Sequence, residues 1–264
     1  MNLIPLVSDQ LVVQLFITMI RPLTACMAAP FLGGNLLQGP LRRAVSISIA
    51  LIALPRVMSD APAGMPTHVI DMVALFTKEA FLGFCWGFAA AKVYYLALSV
   101  GAFIDNQRGA TIANVLNPVT SDESSVFGEL LQQLVLITFF VSGGLHLFLG
   151  GLFNTYEIWP VYSYYPIIDS RLPAFFIQEL SSLAMLTVAF AAPVIAAMFV
   201  VEFGLGLINR FAQQLNVFFL AMPLKSLVAL VVLVVYTSTF LSLALRQFTF
   251  GNNLLDVFSR AGDL

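Results

Sequence analysis

Residues 130–156, LLQQLVLITFFVSGGLHLFLGGLFNTY, contain no lysine, arginine, aspartate or glutamate. A bilayer core of about 30 Å is crossed by about 20 apolar residues in helix, so this stretch reads as a membrane span. Weaker runs lie on both sides of it. A first span is best placed over 11–32, with Arg21 inside it, because Gly33, Gly34, Gly39 and Pro40 spoil a later placement. The run 44–58 follows the Arg42 and Arg43 pair, contains Pro55 and is short for a span. The run 72–104 is interrupted by Lys78, Glu79 and Lys92 and is too long for one simple span. Downstream, 180–201 (with Pro193) and 226–245 (before Arg246) bring the count to six. No ladder of ~10-residue alternating strands is visible, and lipid cannot satisfy an open sheet edge. The fold class is therefore all-α: a polytopic integral membrane protein with broken and kinked helices.

The composition points the same way. Of 264 residues, 59% are apolar and 10% charged, and glycine adds 17 more. An average soluble domain has about 45–50% apolar residues with glycine counted, and about 25% charged. Mean hydropathy is +0.92. So few charges cannot keep the surface of a soluble protein of this size wet, which excludes a soluble enzyme, a disordered chain and a secreted disulfide scaffold. A net charge of −2 offers no basic field to nucleic acid. Cys26 and Cys85 both lie in apolar stretches and read as small hydrophobes. The beginning of the sequence lacks a basic region followed by a small-residue cleavage site, so the first apolar stretch is expected to be retained as a helix.

Chemistry-bearing motifs are scarce. His68 and His146 have no cysteine or carboxylate at metal-ligand spacing, and neither a phosphate-binding loop nor a nucleophile elbow is present. No catalytic residue, metal or cofactor is assigned, and the chain is not read as an enzyme. Charges in apolar context are the remaining pointers, because burying them is costly. These are Arg21, Lys92, Glu129, Glu179, Glu202, Arg210 and Lys225. They read either as coupling sites of a transporter or as charges that pair with one another, pair with a partner chain, or snorkel. Most flank a span, which favours the second reading. Glu202 and Arg210 are about two helical turns apart, on roughly one face but too distant to pair directly. Gly83 and Gly87 place small side chains on one helix stripe and allow close packing of a neighbour, as Ala25 and Ala29 do. With six spans the loop cations divide evenly between the two sides, so they assign no orientation.

One polar segment stands out between two apolar runs, over 105–125. It contains Asp105, Asn106, Gln107, Arg108 and Gly109, then Asn117 and Pro118, then Ser124 and Ser125. Loops this long are functional or solvated, and Gly109 is free to adopt backbone conformations closed to other residues. The segment resembles the signature region of the T component of the type III secretion export apparatus (the SctT family), related to the R component of the flagellar export gate. Matching pieces cover most of the chain. Near the start are Arg21, Pro30 with Phe31, and Gly39, Pro40, Leu41 and Arg42. Midway are Gly83, Gly87 and YEIWP at 156–160. Later come Ala192 with Pro193, Glu202 with Phe203, GLINRFAQQLNVF at 206–218, and Met222, Pro223 and Lys225. The DNQRG form at 105–109 resembles the virulence injectisome branch.

The resemblance implies a subunit of an inner-membrane export gate. One T chain would join R and S subunits in a helical, pore-forming hetero-oligomer, accompanied by U and V components and raised in part toward the periplasm. Residues 1–264 would form one membrane-embedded subunit, with approximately 1–200 R-like and 201–264 an S-like helical hairpin. The partners implied are these components, membrane lipid and unfolded secreted proteins in transit. The polar segment would act as a plug, carried over onto Asp105, Asn106, Gln107, Arg108, Gly109, Asn117, Pro118, Ser124 and Ser125. Gly83 and Gly87 would pack helices, while Arg21, Glu202, Arg210 and Lys225 would be membrane-embedded charges or subunit contacts. The alternatives are a secondary transporter coupled through Glu202, Arg210 or Lys225, and a purely structural assembly scaffold.

Overall fold

The computed structural model describes residues 3–32, 39–60, 69–109, 125–163, 171–211 and 217–247. Among them are seven α-helices and no strand: α1 Leu3–Ala28, α2 Gly39–Ser59, α3 Val69–Arg108, α4 Val126–Val141, α5 Gly144–Ile158, α6 Arg171–Phe211 and α7 Val217–Arg246. A 3-10 turn, Pro30–Leu32, follows α1. The all-α membrane reading holds. Four helices are long and apolar enough to cross a membrane: Leu11–Ala28, Val69–Arg108, Pro173–Phe211 and Leu220–Arg246. The broken pair α4 and α5 makes a fifth if counted as one span.

Three of the expected spans differ in detail. The charge-free stretch 130–156 is not one helix, because Ser142 ends α4 and Gly143, at φ +78°, starts α5 in a left-handed conformation. Only glycine adopts that conformation without strain. The run 72–104, by contrast, is continuous helix despite its three internal charges. At 40 residues α3 is about 60 Å long, twice the bilayer core. Helix α2 does not qualify as a span, since Arg42, Arg43 and Arg56 bracket a short apolar stretch.

The described helices form two compact units, one built from residues up to 92 with 143–177, the other from 93–142 with 178–247. In the first, α2 buries Ser46, Ile49, Ala50, Ala53 and Val57, the stripe of a 3.6-residue period, and packs on α1. Ile17, Ala53, Val57, Tyr156 and Val161 make a shared apolar cluster there. Trp86 of α3 lies against Gly151 of α5 and donates its indole N–H to the Phe148 carbonyl at 3.2 Å. In the second unit α4 packs on α7, and Phe190 of α6 meets Phe240 of α7 edge-on at 5.7 Å.

Candidate functional site

Two polar sites stand out, one in each unit. The first begins with a cation on α1, Arg21, and an adjacent cation and anion on α3, Lys78 and Glu79. The side chains of Arg21 and Glu79 are fully buried, and that of Lys78 is 5% exposed. Arg21 grips Glu79 as a fork, with Nε donating to Oε2 at 2.7 Å and Nη2 to Oε1 at 2.9 Å. Its Nη1 donates to Thr155 Oγ1 at 3.1 Å, Nη2 also reaches the Trp159 carbonyl at 3.0 Å, and the guanidinium lies 4.2 Å from the centre of the Tyr156 ring. Lys78 Nζ stands 3.1 Å from Glu79 Oε1. It also donates to the carbonyls of Pro160, Val161 and Ser163 at 2.9, 2.6 and 2.9 Å. Two cations and one anion leave one positive charge over. The carbonyls that follow the C-terminal end of α5 face that charge, where the helix dipole is negative.

The same cluster repairs a proline. Pro22 has no N–H, so the carbonyl of Thr18, one helical turn earlier, loses its partner. The Tyr156 hydroxyl donates to that carbonyl at 2.9 Å. Tyr156→Phe leaves a buried carbonyl unmet and is expected to cost about 1–3 kcal/mol. The measurement is the thermal midpoint of the detergent-solubilised protein, and an unchanged midpoint would refute the assignment. Helix α3 comes close enough for these bonds through Gly83 and Gly87. A Cβ at Gly83 would overlap the Arg21 carbonyl oxygen and Thr24 Oγ1, and one at Gly87 the Ala25 carbonyl oxygen.

The second site joins the end of α3 to the start of α4. Asp105, Asn106, Gln107 and Arg108 form the last helical residues of α3, so the polar segment leaves the helix only at Gly109, whose φ is +91°. Asp105 is buried. Its Oδ2 accepts from Ser125 Oγ at 2.6 Å and from the Phe127 N–H at 3.0 Å, while Arg108 Nε lies 2.7 Å from Oδ1. Ser125 caps α4, accepting the Gly128 N–H at 2.9 Å. The Arg108 guanidinium covers the Phe127 ring at 4.8 Å. Gly101 and Gly128 let the two backbones meet, since a Cβ at Gly101 would overlap the Gly128 nitrogen.

Asn106 is exposed. Asn117, Pro118 and Ser124 lie outside the described residues. Glu202 of α6 and Lys225 of α7 pair at 2.8 Å, with side chains 50% and 10% exposed. Arg210 is exposed near the end of α6. Sequence reasoning flagged Arg21 but missed its partner Glu79, and with it Lys78, which also pairs with Glu79; it took both only as interruptions of a span. The available signal was an acid beside a base in an otherwise apolar run, an arrangement too costly to keep in lipid without partners.

A family model described as bacterial export proteins, family 1, matches residues 12–250. The chain belongs to that family. This bacterial export protein is 41% identical over 218 residues to the Yop proteins translocation protein T of Yersinia pestis, covering 81% of each chain. It is 32% identical to the secretion system apparatus protein SsaT of Salmonella typhimurium, over 86% of this chain and 88% of that one. It is also 34% identical to the flagellar biosynthetic protein FliR of Bacillus subtilis, over 68% and 69%. The resemblance to the T component of the type III export apparatus, related to the flagellar protein, thus extends over most of the sequence. This bacterial export protein is a membrane subunit of an export apparatus.

Proposed function

We propose that this subunit forms, with R and S components, the pore through which unfolded proteins leave the cell across the inner membrane, and that the segment 105–125 is its plug. The observation that carries the reading is the family match across 12–250. The ends of the polar segment support it: they are hydrogen-bonded to each other at the junction of two apolar helices. Further support comes from α6 and α7, which leave Val200, Phe203, Leu207, Phe211 and Val235 exposed. Surfaces of this kind are covered by lipid or by neighbouring subunits. Along the same lines, the region from about residue 201 onward serves as an S-like hairpin against S subunits. Lys225, Glu202 and Arg210 lie in that region, and part of the gate is raised toward the periplasm.

Shortening 110–122 in the full-length protein tests the plug. The expected result is unchanged recovery of the chain with its R and S partners, together with leak of small solutes through the membrane. A tight membrane with the assembled, shortened chain would overturn the plug reading. Recovery of the chain without those partners from a host that makes them would overturn the wider proposal.

A further inference from the structure

We propose that the outer face of α6 around Gly206 docks a helix of a neighbouring protein subunit, and that this helix carries a lysine or arginine whose head meets Glu202. The inference rests on the reading of this region as a hairpin against other subunits, and it specifies the chemistry of what lies there. Glu202, Gly206 and Arg210 follow one another at intervals of four residues along α6 and so share one face. That face is otherwise apolar, with Phe199, Phe203 and Leu207 exposed. Phe199, Glu202, Phe203, Gly206 and Leu207 line an open groove of about 400 Å³. A Cβ at Gly206 would have nothing within 4 Å of it. Glycine inside a helix is destabilising relative to alanine, and an exposed one is of use where another backbone comes close. Charge decides what that neighbour carries. Lys225 of α7 meets Glu202 Oε2 at 2.8 Å, yet half of the Glu202 side chain stays exposed. A carboxylate accepts at about four lone-pair positions, so one lysine leaves room for a second donor. Neither water nor lipid suits the whole face. Water leaves its phenylalanines and leucine bare, and acyl chains leave a carboxylate unsolvated. Glu202 stands about 14 Å from the nearer end of α6, at Phe211, too far for its short side chain to reach an interface there. A protein face that is apolar and offers a cation satisfies both needs. The groove suits a long basic side chain, whose stem lies against Phe203 and Leu207 while its head reaches Glu202. Arg210, exposed one turn beyond Gly206, repels a cation from the other end and so fixes the register.

The test uses the full-length chain in its native host and complex. The photo-cross-linker p-benzoylphenylalanine replaces Phe203, and the cross-linked peptides are sequenced by mass spectrometry. The expected product joins this position to a protein helix with a lysine or arginine within one turn of the attachment point. A product with lipid alone, or with a helix lacking such a base, would overturn the inference. Two variants test the fit and the charge. Gly206→Leu fills the groove without meeting its own chain. The exchange Glu202→Lys with Lys225→Glu keeps an internal ion pair but turns a cation outward. Each is expected to lower the recovered partner about tenfold or more, with wild-type amounts of the chain itself in the membrane. Changing the partner's base to glutamate should restore the partner to the exchanged chain, and a failure to do so would sink the charge pairing. Wild-type partner recovery with Gly206→Leu would overturn the docking face. So would loss of the Gly206→Leu chain from the membrane, because the groove would then be filled from within the chain. Recovery of the wild-type chain without R and S components sinks the proposed pore, whereas the cross-link reads this face on any neighbour. A basic helix from a protein other than the S component would keep this inference and remove the hairpin's assignment to S subunits.

Discussion

Replacing Glu79 by leucine is expected to remove most of the folded chain from the membrane. The substitution leaves Arg21 and Lys78 buried side by side with no anion between them. Breaking a buried ion pair from one side costs about 3–5 kcal/mol, against a total stability of about 5–15 kcal/mol for a typical domain. The amount of chain in isolated membranes, together with its resistance to proteolysis, reads the effect, and wild-type levels would show that the cluster is dispensable. The triple replacement Arg21→Met, Lys78→Met and Glu79→Leu should recover much of the loss, because apolar side chains of similar volume often match a buried ionic group. Recovery should be incomplete, since the carbonyls of Pro160, Val161 and Ser163 lose their donor. A triple variant no better than the single one would mean that shape, rather than charge, sets the cost.

Gly83→Val is the second large effect expected. Its Cβ would fall on the backbone of α1, at the Arg21 carbonyl, where no flexible side chain end can move aside. Overpacking a tight contact costs about 1–3 kcal/mol and sometimes more. Here the displaced helix also carries Arg21 away from Glu79. Both the yield of assembled chain and its thermal midpoint should fall. Gly150→Ala provides the contrast: nothing lies within 4 Å of a Cβ there. An alanine at a helix-interior position is favoured over glycine by roughly 0.5–1 kcal/mol, so the midpoint should hold or rise. Equal damage from both substitutions would remove the close approach of α1 and α3 as the reason for Gly83.

The sequence pattern is legible where a property belongs to one helix. The absence of charge in long runs, the prolines within them and the low overall charge were enough for an all-α membrane protein. What belongs to two distant segments was not legible. Arg21 meets Glu79 and Thr155 across separations of 58 and 134 residues, and no local period links them. Lys78 and Glu79 were misread for the same reason. Viewed along one helix they interrupt an apolar run, and only the arrival of α1 and the turn after α5 gives them partners. The stretch 130–156 misled in the opposite direction. Its hydropathy is unbroken, but the helix stops at Gly143, a backbone event that average hydropathy does not register. At the polar segment, the residue types marked the right region, while the helix boundary came out four residues later, at Gly109. There a positive φ ends the helix, and Asp105 proves to serve the start of the next helix.

The turn held by Lys78 also orders events in time. As the chain emerges, Arg21 and Glu79 have each other as soon as α3 is made. Lys78 then holds surplus charge whose carbonyl partners lie 82 to 85 residues further on. At synthesis rates of about 5–20 residues per second, that interval lasts roughly 4–17 s. Until 160–163 are in place, Lys78 has only Glu79, already gripped by Arg21, to answer its charge, so the first site is completed last, at the turn after α5.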